Sequence, residues 1–141
     1  MDKALNYLAL ARKAGLAELG EEPVNAVSRA GKAYVILVAS DASDHTWRRA
    51  NSFAAGTDQQ CIRLPYTKDE LGMAIGRTSL AIAAITDAAL ALALVQSLEQ
   101  PEKWQATLEV LAEKTSRARK RKTEAKAHQR NLRKGKKKER V

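Results

Sequence analysis

The chain has 141 residues, the length of one domain able to bury roughly two-thirds of its unfolded surface in a single core without covalent staples. Its net charge of +9 is unevenly held: residues 1–113 carry 11 Lys and Arg against 14 Asp and Glu, and residues 114–141 carry 14 against 2, so the end of the chain is expected to meet an anionic partner. One cysteine, Cys61, and two histidines, His45 and His128, argue against an internal disulfide or a structural zinc site, and the amino terminus lacks the continuous apolar run and cleavage site of a secretory signal.

From a cap expected at Asp2, Leu5, Leu8, Ala9 and Arg12 recur at helical spacing, and Gly15 ends that first helix. Residues 16–19 form a short extended segment, Gly20 turns the chain, and Pro23 suits the first turn of a second helix reaching Ala30. Residues 34–39, Tyr-Val-Ile-Leu-Val-Ala, read as a strand buried on both faces. Ser43 or Asp44 caps a third helix with Trp47, Ala50 and Ala54 inward and Arg48, Arg49 and Asn51 outward, closed by Gly56. A short strand follows at 61–64, ended by Pro65. Thr67 and Glu70 then stand in capping-box spacing before a fourth helix that Gly76 stops. Residues 80–85 form another buried strand, and Thr86-Asp87 caps a fifth helix striped by Leu90, Leu94 and Leu98. The most apolar stretch, 80–95, is too short to span a bilayer and is broken by Thr86 and Asp87, so no membrane partner is expected. Pro101 is expected to open a sixth helix with Trp104, Leu108 and Leu111 on one face.

Helices alternating with short apolar strands give an α/β class, a small sheet between helical layers. The expected organisation is a domain over 1–100, an amphipathic helical linker over 101–113 and a basic tail over 114–141, helical or disordered. No glycine pattern cradles a phosphate, since Gly15 and Gly20 are too far apart for a dinucleotide fingerprint. Asp41, Ser43 and Asp44 beside His45 are explained as turn and cap residues rather than as a hydrolytic set. No catalytic residue, cofactor or metal is therefore expected, and the protein is read as a non-enzyme.

The second helix offers an outward face of Glu22, Asn25 and Arg29, at i, i+3 and i+7, with Val24 and Val27 inward. A carboxylate accepts from guanine N–H groups, an amide donates and accepts, and a guanidinium holds phosphate, so this face has the chemistry to read RNA. Glu21 and Glu22 at its start are equally favoured by the helix dipole.

Four ordered pieces carry a resemblance: Gly20-Glu21-Glu22-Pro23-Val24; Gly31-Lys32-Ala33 leading into Val35 through Ser43; Leu71-Gly72-Met73-Ala74-Ile75-Gly76-Arg77; and Ala84-Ile85-Thr86-Asp87. Over residues 3–98 the chain resembles the bacterial relatives of the archaeal ribosomal protein L-seven-Ae, of the superfamily that includes L-thirty-e, S-twelve-e and the Gadd proteins. The resemblance implies a three-layer α-β-α sandwich around a small mixed four-stranded sheet, and binding of structured RNA, typically a kink-turn. It implies contact through the turn and helix start at 20–26 and the loop at 76–80, which nominates Gly20, Glu21, Glu22, Asn25, Arg29, Lys32, Arg77, Thr78 and Ser79. Where the strongest binders of that family resemble G-x-N-E-x-x-K, this chain has Glu22, Pro23 and Ala26 in place of Asn, Glu and Lys. An added carboxylate repels phosphate, so the body is expected to bind a kink-turn weakly alone.

The tail is expected to supply the missing affinity by displacing phosphate counterions, through Arg117, Arg119, Lys120, Arg121 and Lys122 and through Arg133, Lys134, Lys136, Lys137, Lys138 and Arg140. It carries no aromatic residue on which bases could stack. Within the body, Arg48, Arg49 and above all Arg77 are the cations expected to matter. The expected partner is structured RNA, ribosomal in the first instance, with ribosomal proteins as neighbours and the chain monomeric and cytoplasmic. Two other functions fit the same pattern: a protein-interaction module whose tail alone binds nucleic acid, and a substrate-recruiting subunit of an RNA-modifying enzyme.

Overall fold

The computed structural model describes residues 2–139, with side chains to residue 131. Ten elements follow one another: α1 (Lys3–Lys13), β1 (Ala17–Leu19), α2 (Glu21–Arg29), β2 (Val35–Val38), α3 (Asp44–Ala54), β3 (Gln60–Arg63), α4 (Lys68–Ala74), β4 (Ile82–Ile85), α5 (Ala88–Gln96) and α6 (Gln105–Glu139). The sheet order is β1-β4-β2-β3, with β2 and β3 parallel and the other pairs antiparallel. The expected mixed four-stranded sheet is thus present.

Every residue of β2 and β4 is buried, because a helical layer covers each face. α2 and α3 pack together on one side, α1, α4 and α5 on the other, and α6 lies against α5. Leu8, Ile36, Leu37, Leu71, Ile85 and Leu94 are among the largest side chains closed off at the centre. Local signals place the element starts. The Ser43 hydroxyl accepts from the Thr46 amide, Asp87 accepts from Leu90, and Thr67 with Glu70 forms the full capping box.

Three expectations are corrected. Asp2 occupies the position before α1 but its side chain caps nothing; its carboxylate bonds Tyr66, whose hydroxyl is pushed above the usual tyrosine range first by burial and then by that carboxylate. The buried face of α5 is Ala88, Ala91, Leu94 and Val95, with Leu90 and Leu98 only half-buried, because alanines let the helix approach its neighbours closely. The sixth helix opens at Gln105 rather than Pro101; Glu99 takes a left-handed conformation (φ 54°) after α5, and residues 101–104 form a turn.

Of the two forms expected for the tail, the helical one is described: α6 runs unbroken through 114 to Glu139, 35 residues and about 52 Å at 1.5 Å per residue. Its first half is anchored to the sheet edge. Leu111 is wholly buried, the Thr107 hydroxyl donates to the Gln60 side chain at 2.9 Å, and Lys114 pairs with Asp58.

Candidate nucleic-acid interface

One end of the sheet collects the segments that the sequence nominated. The Gly20 amide donates to the Ile82 carbonyl at 3.0 Å, and Leu19 stands opposite Ala83, so the turn into α2 adjoins the segment that enters β4. The chain after β2 arrives at the same end, with the Ala39 amide on the Ala81 carbonyl and the Ser40 amide on the Tyr66 carbonyl. The Lys68 amide donates to the Asp41 carboxylate and the Leu80 amide to the Lys68 carbonyl. The two glycine-marked bends therefore share one ledge, across neighbouring strands.

Gly20 is glycine for a conformational reason, since its φ of 98° lies where L side chains are strained. It also leaves α2 without a side-chain cap, so the first-turn amides carry the helix's partial positive charge outward. The loop opposite is held by close packing. A Cβ on Gly72 of α4 would stand 2.6 Å from the Ser79 Cα and 2.9 Å from the Arg77 carbonyl oxygen. The Arg77 amide donates to the Gly72 carbonyl at 2.8 Å. Arg77, Thr78 and Ser79 are all exposed, so a tightly pinned backbone presents free side chains.

Charge on the ledge is mixed. Glu21 pairs with Arg49, whose guanidinium also lies 5.4 Å from the Phe53 ring centre, while Glu22 is exposed. Asn25 and Arg29 line a groove of about 320 Å³ between α2 and α3, together with Arg49 and Ser52. Arg49 thus joins the second-helix face, a juxtaposition no spacing within the sequence could reveal.

The described part of the tail does not reach this ledge. α6 runs antiparallel to β3: Trp104 lines a cavity with Leu64 and Pro65, Thr107 reaches Gln60 and Lys114 reaches Asp58. Arg121 lies beside Gly31 and Tyr34, at the opposite end of the strands. Lys32 belongs to that far end too, in the turn after α2. Arg117, Arg119, Lys120, Arg121 and Lys122 therefore lead away from Gly20 and Arg77. Arg117 is engaged by Glu113 at 2.5 Å, while Arg119, Lys120 and Lys122 are exposed. Lys114 holds the Asp58 carboxyl below its ordinary value, chiefly through their side-chain hydrogen bond. The second basic cluster, 133 to 140, lies outside the described side chains.

Sequence reasoning passed over one group altogether. Trp47, Arg63, Lys103 and Trp104 meet at the β3 edge, yet both tryptophans read only as members of helical packing stripes and Arg63 as strand. The thiol of Cys61 shares that wall, and burial pushes it up to about 12, so it stays protonated. Among the described residues no helix is long and apolar enough to cross a membrane, and no group of acidic, His and Cys side chains could hold a metal.

The chain is similar to several known proteins. The RNA-binding protein YlxQ of Enterococcus faecium is 33% identical over 75 residues, 53% of this chain and 72% of that protein. Among solved structures, a Bacillus halodurans protein of unknown function has a TM-score of 0.66 at 24% identity, over 71% of this chain and 100% of its own. The Giardia lamblia 15.5kD RNA binding protein has a TM-score of 0.58 at 18% identity, over 70% of this chain and 84% of its own. These two likenesses are of fold. No family model matches the chain.

Proposed function

We propose, from the premise that the chain belongs to the family of the RNA-binding protein YlxQ, that it binds structured RNA without catalysing a reaction on it. YlxQ and the Giardia neighbour together point to the L-seven-Ae-like RNA-binding superfamily. The observation that supports the reading for this chain is the Gly20–Ile82 hydrogen bond, which sets the α2 turn beside the start of β4, the strand that the 77–79 loop leads into. A bent RNA presents phosphates and unpaired edges to such a surface, where uncapped amides, Asn25 and Arg77 meet them. We assign Gly20, Glu21, Glu22, Asn25, Arg77, Thr78 and Ser79 to this contact, with Arg29 and Arg49 flanking it in the groove beside α2.

The tail contributes affinity from elsewhere. Its described cations start at the far end of the sheet, so it holds phosphates at a distance from the ledge rather than clamping RNA down on it. Each contact displaces counterions without reading sequence. The RNA is a kink-turn or a similarly bent ribosomal segment, bound in the cytoplasm by one copy of the chain.

Fluorescence anisotropy with a kink-turn hairpin and an unbent duplex of equal length tests this. The full chain prefers the bent RNA, and Arg77→Glu removes the preference while leaving duplex binding in place. Equal affinity for both RNAs, unaltered by Arg77→Glu, would overturn the ledge. It would support the second function that the far-end position of the tail favours, a tail that grips polyanions while the body contacts protein.

A further inference from the structure

The half-buried pair Trp47 and Trp104, the chain's only two tryptophans, line a single cavity of about 420 Å³ at the β3 edge, with Arg63, Lys103, Ser40 and Pro65. They come from α3 and from the turn before α6, 57 positions apart in sequence, so only the tertiary fold joins them. The Arg63 guanidinium carbon lies 4.7 Å from the Trp47 ring centre, and the Lys103 ammonium lies 4.8 Å from the Trp104 ring centre. Each indole thus already has its cation, and among the described residues no carboxylate lines the cavity.

Three donors in this group lack acceptors. Arg63 Nε, Arg63 Nη2 and Trp104 Nε1 are buried with no hydrogen-bond partner. Buried donors are almost always paired in native proteins, and these three, closed off in the free chain, meet an outside acceptor once Arg63 and Trp104 shift to admit it.

We propose that this cavity is a second RNA subsite, which takes one unpaired nucleobase together with its phosphate. The inference rests on the RNA-binding reading above and adds a site to it. A base is flat enough to stack on an indole, and its edge carries the carbonyl and ring-nitrogen acceptors that the orphan donors lack. The attached phosphate meets Lys103, which is exposed. A cationic ligand, the usual guest of a tryptophan-lined site, is disfavoured because Arg63 and Lys103 already bring two positive charges to the cavity wall. Location supports the same ligand: Ser40 follows β2 at the ledge end of the sheet, and β3 lies three strands from β1, about 14 Å at 4.8 Å per strand. An RNA seated by Gly20 and Arg77 extends its single strand across that end to reach the two indoles.

The tryptophans supply their own readout, since all indole emission comes from this cavity. The full chain is titrated with two kink-turn hairpins carrying a four-nucleotide overhang, adenosine in one and abasic in the other, with anisotropy and tryptophan emission read together. The adenosine overhang quenches emission and binds about tenfold tighter than the abasic one, in the range known for base stacking on aromatic side chains. Trp104→Phe keeps most of this discrimination and Trp104→Leu abolishes it, while Lys103→Gln, at an exposed position, weakens both hairpins several-fold, because the abasic overhang keeps its phosphates. Equal affinities for the two overhangs with unchanged emission, while anisotropy reports binding, overturn the subsite and spare the ledge. Failure of both hairpins to bind overturns the RNA reading and the subsite with it.

Discussion

Gly72→Ala puts the packing of the ledge loop to the test. The added Cβ would lie 2.6 Å from the Ser79 Cα, 2.7 Å from the Ser79 amide nitrogen and 2.9 Å from the Arg77 carbonyl oxygen. All three are backbone atoms, so no rotamer change relieves the clash, and residues 77–79 must retreat by about 1 Å to reach ordinary contact. Overpacking of this kind costs about 1–3 kcal/mol, and alanine returns about 1 kcal/mol of helix propensity. The net loss is about 0–2 kcal/mol, which lowers Tm by up to roughly 10 °C for a body of this size. Gly76→Ala is the matched control: Gly76 has φ 72° and open space within 4 Å, so it strains the backbone without pushing the loop. Circular dichroism melts and kink-turn anisotropy at 20 °C are run on both variants. Gly72→Ala loses about tenfold in RNA affinity while still folded, and Gly76→Ala loses stability with less than a threefold change in binding. A Gly72→Ala protein that melts no lower than its parent and binds RNA equally well would refute the close-packed loop and its role.

Other outcomes follow from the same geometry. Glu22→Asn removes an exposed carboxylate from the ledge and tightens kink-turn binding about fivefold, since one like charge at 4 Å in water is worth about 1 kcal/mol; a Kd series at fixed salt checks it. Replacing Arg119, Lys120, Lys122 and Lys126 by Gln flattens the slope of log affinity against log salt by roughly 3–4 if each contacts a duplex phosphate, whereas an unchanged slope removes the tail from the complex. Thr67→Ala breaks the capping box and costs about 0.5–2 kcal/mol, read as a shift in urea midpoint. Burial pushes the Cys61 thiol up to about 12 from an ordinary 9.0, so it resists alkylation at pH 8 in the folded chain. Above pH 9.0 the unfolded thiol ionises while the folded one stays neutral, so stability falls as pH rises toward 12. The difference between parent and Cys61→Ala across that range isolates this contribution.

Some features were legible locally. The four strands, the breaks at Gly15, Gly56 and Gly76, and the caps at Ser43, Thr67 and Asp87 depend on backbone conformation and bonds spanning three residues, which neighbouring side chains decide. The α5 stripe was misread because its leucines and alanines are both apolar. Which of them face inward is decided by how closely α1, α6 and the sheet approach, a distance absent from the chain itself. The early expectation that Pro101 opens α6 failed at Glu99, whose left-handed backbone no residue preference announces.

Sequence alone determined that a faintly acidic α/β body precedes a strongly basic end, because charge and hydrophobic period are properties of the residues in order. Only tertiary structure decided where that charge lies. β4 runs antiparallel to β2 and ends away from the ledge, so α5 returns to the ledge end. α6 then runs back along the sheet edge, and the described tail cations leave from the end remote from Gly20 and Arg77. The same return path carries Trp104 and Lys103 to Trp47 and Arg63, since contacts between distant segments are fixed by the packing of whole elements and not by any motif within one of them.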